Sequence, residues 1–307
     1  MMIRSFLLAF TALSLMTACA SHPSVAAPSS DMAESPAPQH LGTFIGACQG
    51  EYGHSCVHDI PGGWALLTAG GGAPIPGVLT APQVRRNILV KHHEVTQAEW
   101  EWLMQTQPSF FRACEDCPVE RVSWWDALIY LNRLSEVDGF ERCYELQGCR
   151  TAEADGCPSD RPWCEGQNRC TSARFLGPHC SGYRLPTEQE WTWLAQASAS
   201  KQAETAWCAN RSGGRTRPVA GGVESTDVDG VRGNVWEWVW GSSESASRQL
   251  HRGGSFRTAP SACQADAQSV SSGSWRSYFI GFRPVRTLPL ASRPVAATSP
   301  RFSAVVR

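Results

Sequence analysis

The sequence predicts an α+β fold built from short elements joined by much irregular backbone. Three observations predict it. One helix-start signal recurs three times, each time ahead of a brief apolar stripe. From Trp207 to Val285 no long helical period exists, only short runs punctuated by glycine. The chain also holds 13 tryptophans, which suits a core filled by large aromatics whose indole N–H groups satisfy buried loop carbonyls.

Taken in order, Trp64 to Gly72 begins apolar and runs into glycines, so it reads as a strand and turn. Arg86 to Val95 alternates weakly through Ile88, Val90 and His92 and reads as a second strand. Thr96-x-x-Glu99 then precedes Trp100, Leu103 and Met104, and Ser123-x-x-Asp126 precedes Ala127, Tyr130, Leu131 and Leu134. Thr187-x-x-Glu190 precedes Trp191, Leu194 and Ala195. In each, the hydroxyl accepts from the backbone N–H three residues on and the carboxylate reaches back, while the spacing of three and four gives one buried face. Residues 138–181 read as a loop-rich insertion. Trp236 and Trp238 fall on one side of a short strand and Glu237 on the other.

The N-terminus has the shape of a secretory signal over residues 1–18: Arg4, an apolar stretch from Phe6 to Met16, then Thr17-Ala18-Cys19. It resembles a bacterial lipobox, which implies lipidation of Cys19 and a place in the cell envelope, attached to the membrane through the lipid. No other apolar run approaches the roughly 18 residues needed to cross a bilayer. Residues 19–40 are rich in Ala, Ser and Pro and read as a disordered tether, and 291–307 as a disordered tail. Residues 41–290 fit one domain. With a net charge of -1 the chain presents no basic face, which argues against nucleic acid as a partner.

Setting Cys19 aside, 12 of the 13 cysteines remain, an even number that argues for disulfides in an exported chain. Seven lie between Cys114 and Cys170, in a stretch with few aliphatic side chains, so bridges are expected to staple it. Their connectivity is not derivable from spacing. A zinc knuckle at Cys114 and Cys117 lacks a second ligand pair at matching distance.

Several blocks in fixed order carry more information than any element. They are Glu94 to Trp100, Pro118 to Ala127, Gly182-Tyr183-Arg184-Leu185-Pro186-Thr187-Glu188-Gln189-Glu190-Trp191, and Asn210 to Val219. Gly233-Asn234-Val235-Trp236-Glu237-Trp238, Arg252-Gly253-Gly254-Ser255-Phe256 and Gly281-Phe282-Arg283 follow. Together they resemble the formylglycine-generating enzyme, or sulfatase-modifying factor, family. The resemblance implies a C-type-lectin-like fold with low regular secondary structure.

Active members of that family hold copper(I) between two cysteines, two and seven residues after the aromatic of the Gly-Gly-Ser-aromatic block. Here those positions are Thr258 and Cys263. Soft thiolates select copper(I), so the loss of one argues against copper and toward a binding or scaffold member with a peptide or protein partner. The alternative is an active oxidoreductase acting on a peptide cysteine or a small sulfur compound. By the same resemblance Cys263, Ser255 and Trp238 match positions of the family's catalytic pocket. Asn234, Val235 and Glu237 match a structural calcium site, where hard oxygens suit the ion; the other reading has the two polar side chains bonding to backbone N–H groups. The eight histidines form no chelating pair, and no nucleophile–base pair or carboxylate dyad stands out.

Overall fold

The computed structural model describes residues 63–68, 78–80, 86–150, 163–165, 169–198, 206–219, 228–241 and 247–288. The signal segment, the tether with Cys19, the tail, and Cys48, Cys56 and Cys157 lie outside the described residues.

All three start signals produce helices at the expected places: α1 (Gln97–Met104), α2 (Trp124–Val137) and α3 (Glu188–Ala197). Each opens on a complete capping box, Thr96 with Glu99, Ser123 with Asp126 and Thr187 with Glu190. Two backbone donors that no helical carbonyl could reach are thereby satisfied at every start.

Strands β1 (Trp64–Thr68), β2 (Val78–Thr80), β3 (Ile88–Lys91), β7 (Tyr183–Arg184) and β13 (Val285–Thr287) form a mixed sheet in the order β2-β1-β3-β13-β7. Its middle is covered on both faces. Trp64, Leu66 and Leu89 enter one apolar cluster, which α1 and α2 complete through Trp100, Leu128 and Leu131. Ala65, Leu67, Ile88 and Val90 enter the opposite cluster, which α3 completes through Trp191 and Leu194. Successive residues of a strand face opposite ways, so a strand buried on both sides shows apolar residues at every position. That explains the weak alternation between Arg86 and Val95.

A second sheet, in the order β10-β9-β8-β12, joins β8 (Trp236–Trp238), β9 (Arg248–Arg252), β10 (Gln268–Ser272) and β12 (Ile280–Phe282). Strands β8 and β12 run parallel, with Glu237 opposite Gly281. A Cβ on Gly281 would sit 2.5 Å from the Val119 carbonyl oxygen, which is why this block needs glycine.

The segment expected to be loop holds more order than its composition suggests. Strands β4 (Tyr144–Gln147) and β6 (Ser172–Phe175) pair as an antiparallel ribbon, and β5 (Trp163–Glu165) pairs with β11 (Trp275–Ser277). Bridges Cys143–Cys180 and Cys149–Cys170 close the ribbon. Cys114–Cys117 and Cys208–Cys263 are also bonded, and Cys164 is disulfide-bonded as well. Among the described residues every cysteine is therefore oxidised. The ribbon orders because Tyr144 and Phe175 pack into the main core beside Trp240, a long-range contact that local composition does not announce.

Candidate functional site

Strand β9 runs into Gly253 and Gly254, whose φ angles of 95° and 80° lie in the region that favours glycine. The chain then turns tightly. The Ser255 N–H donates to the Thr258 hydroxyl at 2.9 Å, and the Thr258 N–H donates to the Ser255 carbonyl at 2.9 Å. A point one Cβ above Gly254 lies 3.3 Å from the Cys263 sulfur and 3.4 Å from the Thr258 Cβ, so the two matched positions flank one spot. Ser255 and Cys263 are buried there. The Cys263 sulfur is bonded to Cys208, and its carbonyl accepts from Arg232 at 3.0 and 2.9 Å. A bridged sulfur and a hydrogen-bonded hydroxyl do not fit copper(I), which needs soft thiolates.

Trp238 does not join this corner. It lies in the main core, its indole donating to the Val122 carbonyl at 3.0 Å, with His251 edge-on at 5.2 Å between ring centres. Burial holds the His251 imidazole down to about 3, so it is neutral at physiological pH.

The residues matched to calcium are occupied by protein partners. Asn234 Oδ1 accepts from the Arg217 N–H at 3.0 Å and Nδ2 donates to the Arg217 carbonyl at 3.2 Å. Glu237 is fully buried; it accepts from Arg283 at 2.7 Å and from the Trp191 indole at 2.8 Å. Val235 is core. The Glu237 oxygens and the Asn234 amide are thus already engaged by protein donors, one of them a guanidinium, which does not fit the oxygen cage of a divalent cation. Arg283 also faces Glu94 at 4.0 Å. Burial pushes the Glu94 carboxyl up to about 8 against the pull of Arg283.

The blocks that carry the family resemblance also hold the architecture together. Arg184 grips Glu190 at 2.7 and 2.8 Å, Arg276 grips Asp126 at 2.9 and 2.8 Å, and Arg283 grips Glu237, all buried. Two of these carboxylates also cap helices. The bidentate geometry and extra hydrogen bonds offset the desolvation of the charges.

An open groove lies elsewhere, with a volume of about 1120 Å³. Its floor is Trp124, stacked on Trp240 at 5.2 Å and edge-on to Trp125 at 5.0 Å. One wall is the outer face of α3, with Gln189, Trp193 and Gln196. Ala173 of the stapled ribbon and Gln249 of β9 complete it. The sequence reading did not single out Trp125, Trp193 or Trp240. A signal was available: Trp193 lies two residues from Trp191, off the stripe that Trp191, Leu194 and Ala195 bury.

Short capped helices, two twisted sheets and much irregular backbone, pinned by buried arginine–carboxylate pairs, define a C-type-lectin-like α+β domain of the sulfatase-modifying factor kind. Residues 60–288 match the Sulfatase-modifying factor enzyme 1-like domain, and the chain belongs to that family. It is 28% identical over 181 residues to the "Chaperone protein LppX" of Paenibacillus barcinonensis, covering 48% of this chain and 60% of that protein's length. Among solved structures it is similar to Treponema denticola variable protein 1, at 25% identity and a TM-score of 0.52, over 65% of this chain and 84% of that one. It shares the fold of CarF at 24% identity and a TM-score of 0.50, over 66% of this chain and 87% of that one. Among the described residues no helix is long and apolar enough to cross a membrane.

Proposed function

We propose that this protein is an exported, lipid-anchored member of the sulfatase-modifying factor family that binds a peptide or protein partner and does not oxidise cysteine with copper. One observation carries the reading: the Cys263 sulfur is tied to Cys208, and the position across from it is Thr258, a hydroxyl already engaged in the Ser255 turn. No thiolate is left at that corner for a soft metal. Similarity to a protein named a chaperone supports partner binding. The anchor rests on Met16-Thr17-Ala18-Cys19; Cys19→Ser should move the protein from the membrane pellet to the soluble fraction, and its persistence in a salt-washed pellet would contradict the anchor.

The test of the main reading is oxygen consumption and mass change of a cysteine-containing sulfatase-type peptide with added copper(I). Wild type and Thr258→Cys are both expected to show neither oxidation nor stoichiometric copper. Combining Thr258→Cys with Cys208→Ser should create copper(I) binding, because the two sulfurs would then flank the spot above Gly254. Stoichiometric copper and peptide oxidation by the wild type would overturn the proposal.

A further inference from the structure

Seven of the 13 tryptophans fall into two groups by what their indole N–H groups do. Those of Trp100, Trp124, Trp191 and Trp238 are buried and each donates within the protein, to Thr106, Val239, Glu237 and Val122. Those of Trp125, Trp193 and Trp240 line the groove, are half-buried, and among the described residues have no acceptor in the protein. The amides of Gln189 and Gln196, on the same rim, are likewise exposed and without a protein partner among the described residues. The groove therefore offers flat aromatic faces and three indole N–H groups that can only donate.

Charge narrows the ligand further. Among the described residues no lysine or arginine lines the groove. The one carboxylate among the described lining residues, Glu188, is paired with Arg252 at 3.2 Å. Among the described residues a phosphate or a carboxylate-rich chain would find no counter-charge, and a basic peptide only a carboxylate already paired. The platform is also rigid: Trp240 stacks on Trp124 and Tyr144, and its backbone N–H donates to Pro186 at 2.9 Å. A rigid site loses little entropy on binding.

We infer that this groove binds a neutral, proline-rich extended segment of a partner polypeptide. A run of prolines has no backbone N–H and presents only carbonyl acceptors, in a left-handed helix with no internal hydrogen bonds. It supplies what the unpartnered indoles and amides lack, and its rings pack on aromatic faces, as in other aromatic-lined grooves that take such segments. The inference rests on the binding reading above and assigns that binding a place and a partner class.

The test is titration of the full chain with a deca-L-proline peptide, a glycine–serine peptide of equal length and cellohexaose, followed by tryptophan fluorescence and calorimetry. The proline peptide alone should bind. Trp193→Ala should weaken it by roughly tenfold or more, as for a central aromatic contact. Trp193→Phe, which keeps a ring and loses the donor, should weaken it several-fold, and so should Gln196→Ala on the exposed rim. Trp102→Ala on α1, outside the groove, should change nothing, and melting curves will show that each variant folds. Absence of proline binding at millimolar peptide, binding indifferent to both Trp193 and Gln196, or binding of cellohexaose in its place would overturn the inference. These outcomes are separate from the copper assay, which reads the Cys263 corner: failure here with no oxidation leaves the non-oxidase reading standing.

Discussion

The framework around β8 and the ribbon of β4 and β6 both enclose aromatic side chains, yet they are held by different means. In the framework, Glu237 lies between Arg283 and the Trp191 indole, Asp126 and Glu190 are likewise paired with arginines, and all of these groups are buried. In the ribbon, two bridges close a pair of four-residue strands whose outward side chains are exposed. Its ion pair, Arg174 with Glu145, sits in solvent and contributes little. The framework carries the family's blocks and the ribbon carries cysteines. The groove lies where they meet, with α3 on one side and β6 on the other.

The sharpest way to break that contrast is Glu237→Ala. It strands the Arg283 guanidinium in the core without its partner, and the expected loss is about 3–5 kcal/mol, spread over the whole domain. Urea denaturation should show one cooperative transition moved to lower denaturant. A loss below about 1 kcal/mol would mean that packing alone holds the framework.

Removing a ribbon staple should act locally. Cys149→Ser with Cys170→Ser opens a closed loop with a sequence separation of 21, and the expected loss is about 2–4 kcal/mol, confined to the ribbon. Hydrogen exchange should rise over residues 144–147 and 172–175 and stay unchanged over α2. Equal acceleration in α2 would show that ribbon and framework unfold as one unit, erasing the distinction.

The smallest effect is one of pH. Burial pushes the Glu120 carboxyl from 4.5 up to about 8 although it accepts from the Phe111 N–H at 2.8 Å. A raised carboxylate favours the folded state in its protonated form. Its contribution is complete below pH 4.5 and lost as pH rises through 8. Glu120→Gln keeps the neutral amide throughout. The stability of wild type relative to this variant should therefore fall steadily as pH rises from 5 to 8.5. A flat difference across that range would show that solvent reaches Glu120 and that this part of the framework is less dry than its burial indicates.

Much of this protein was determined by local sequence. Capping boxes at Thr96, Ser123 and Thr187 are legible because donor and acceptor lie three residues apart, so the chain carries the whole interaction in one window. The stripes of α2 and α3 and the order of the glycine–tryptophan blocks are legible for the same reason, and that order was enough to reach the fold. Tertiary structure alone decided the rest, because the partners are far apart in the chain. Glu237 meets Arg283 across 46 residues, Arg276 meets Asp126 across 150, and Cys263 finds Cys208 across 55. Spacing could not say that Asn234 would spend its amide on the Arg217 backbone, or that the loop-like insertion would order against Trp240. Nor could it show which tryptophans would be left facing a groove, since that depends on what the fold brings to cover each ring.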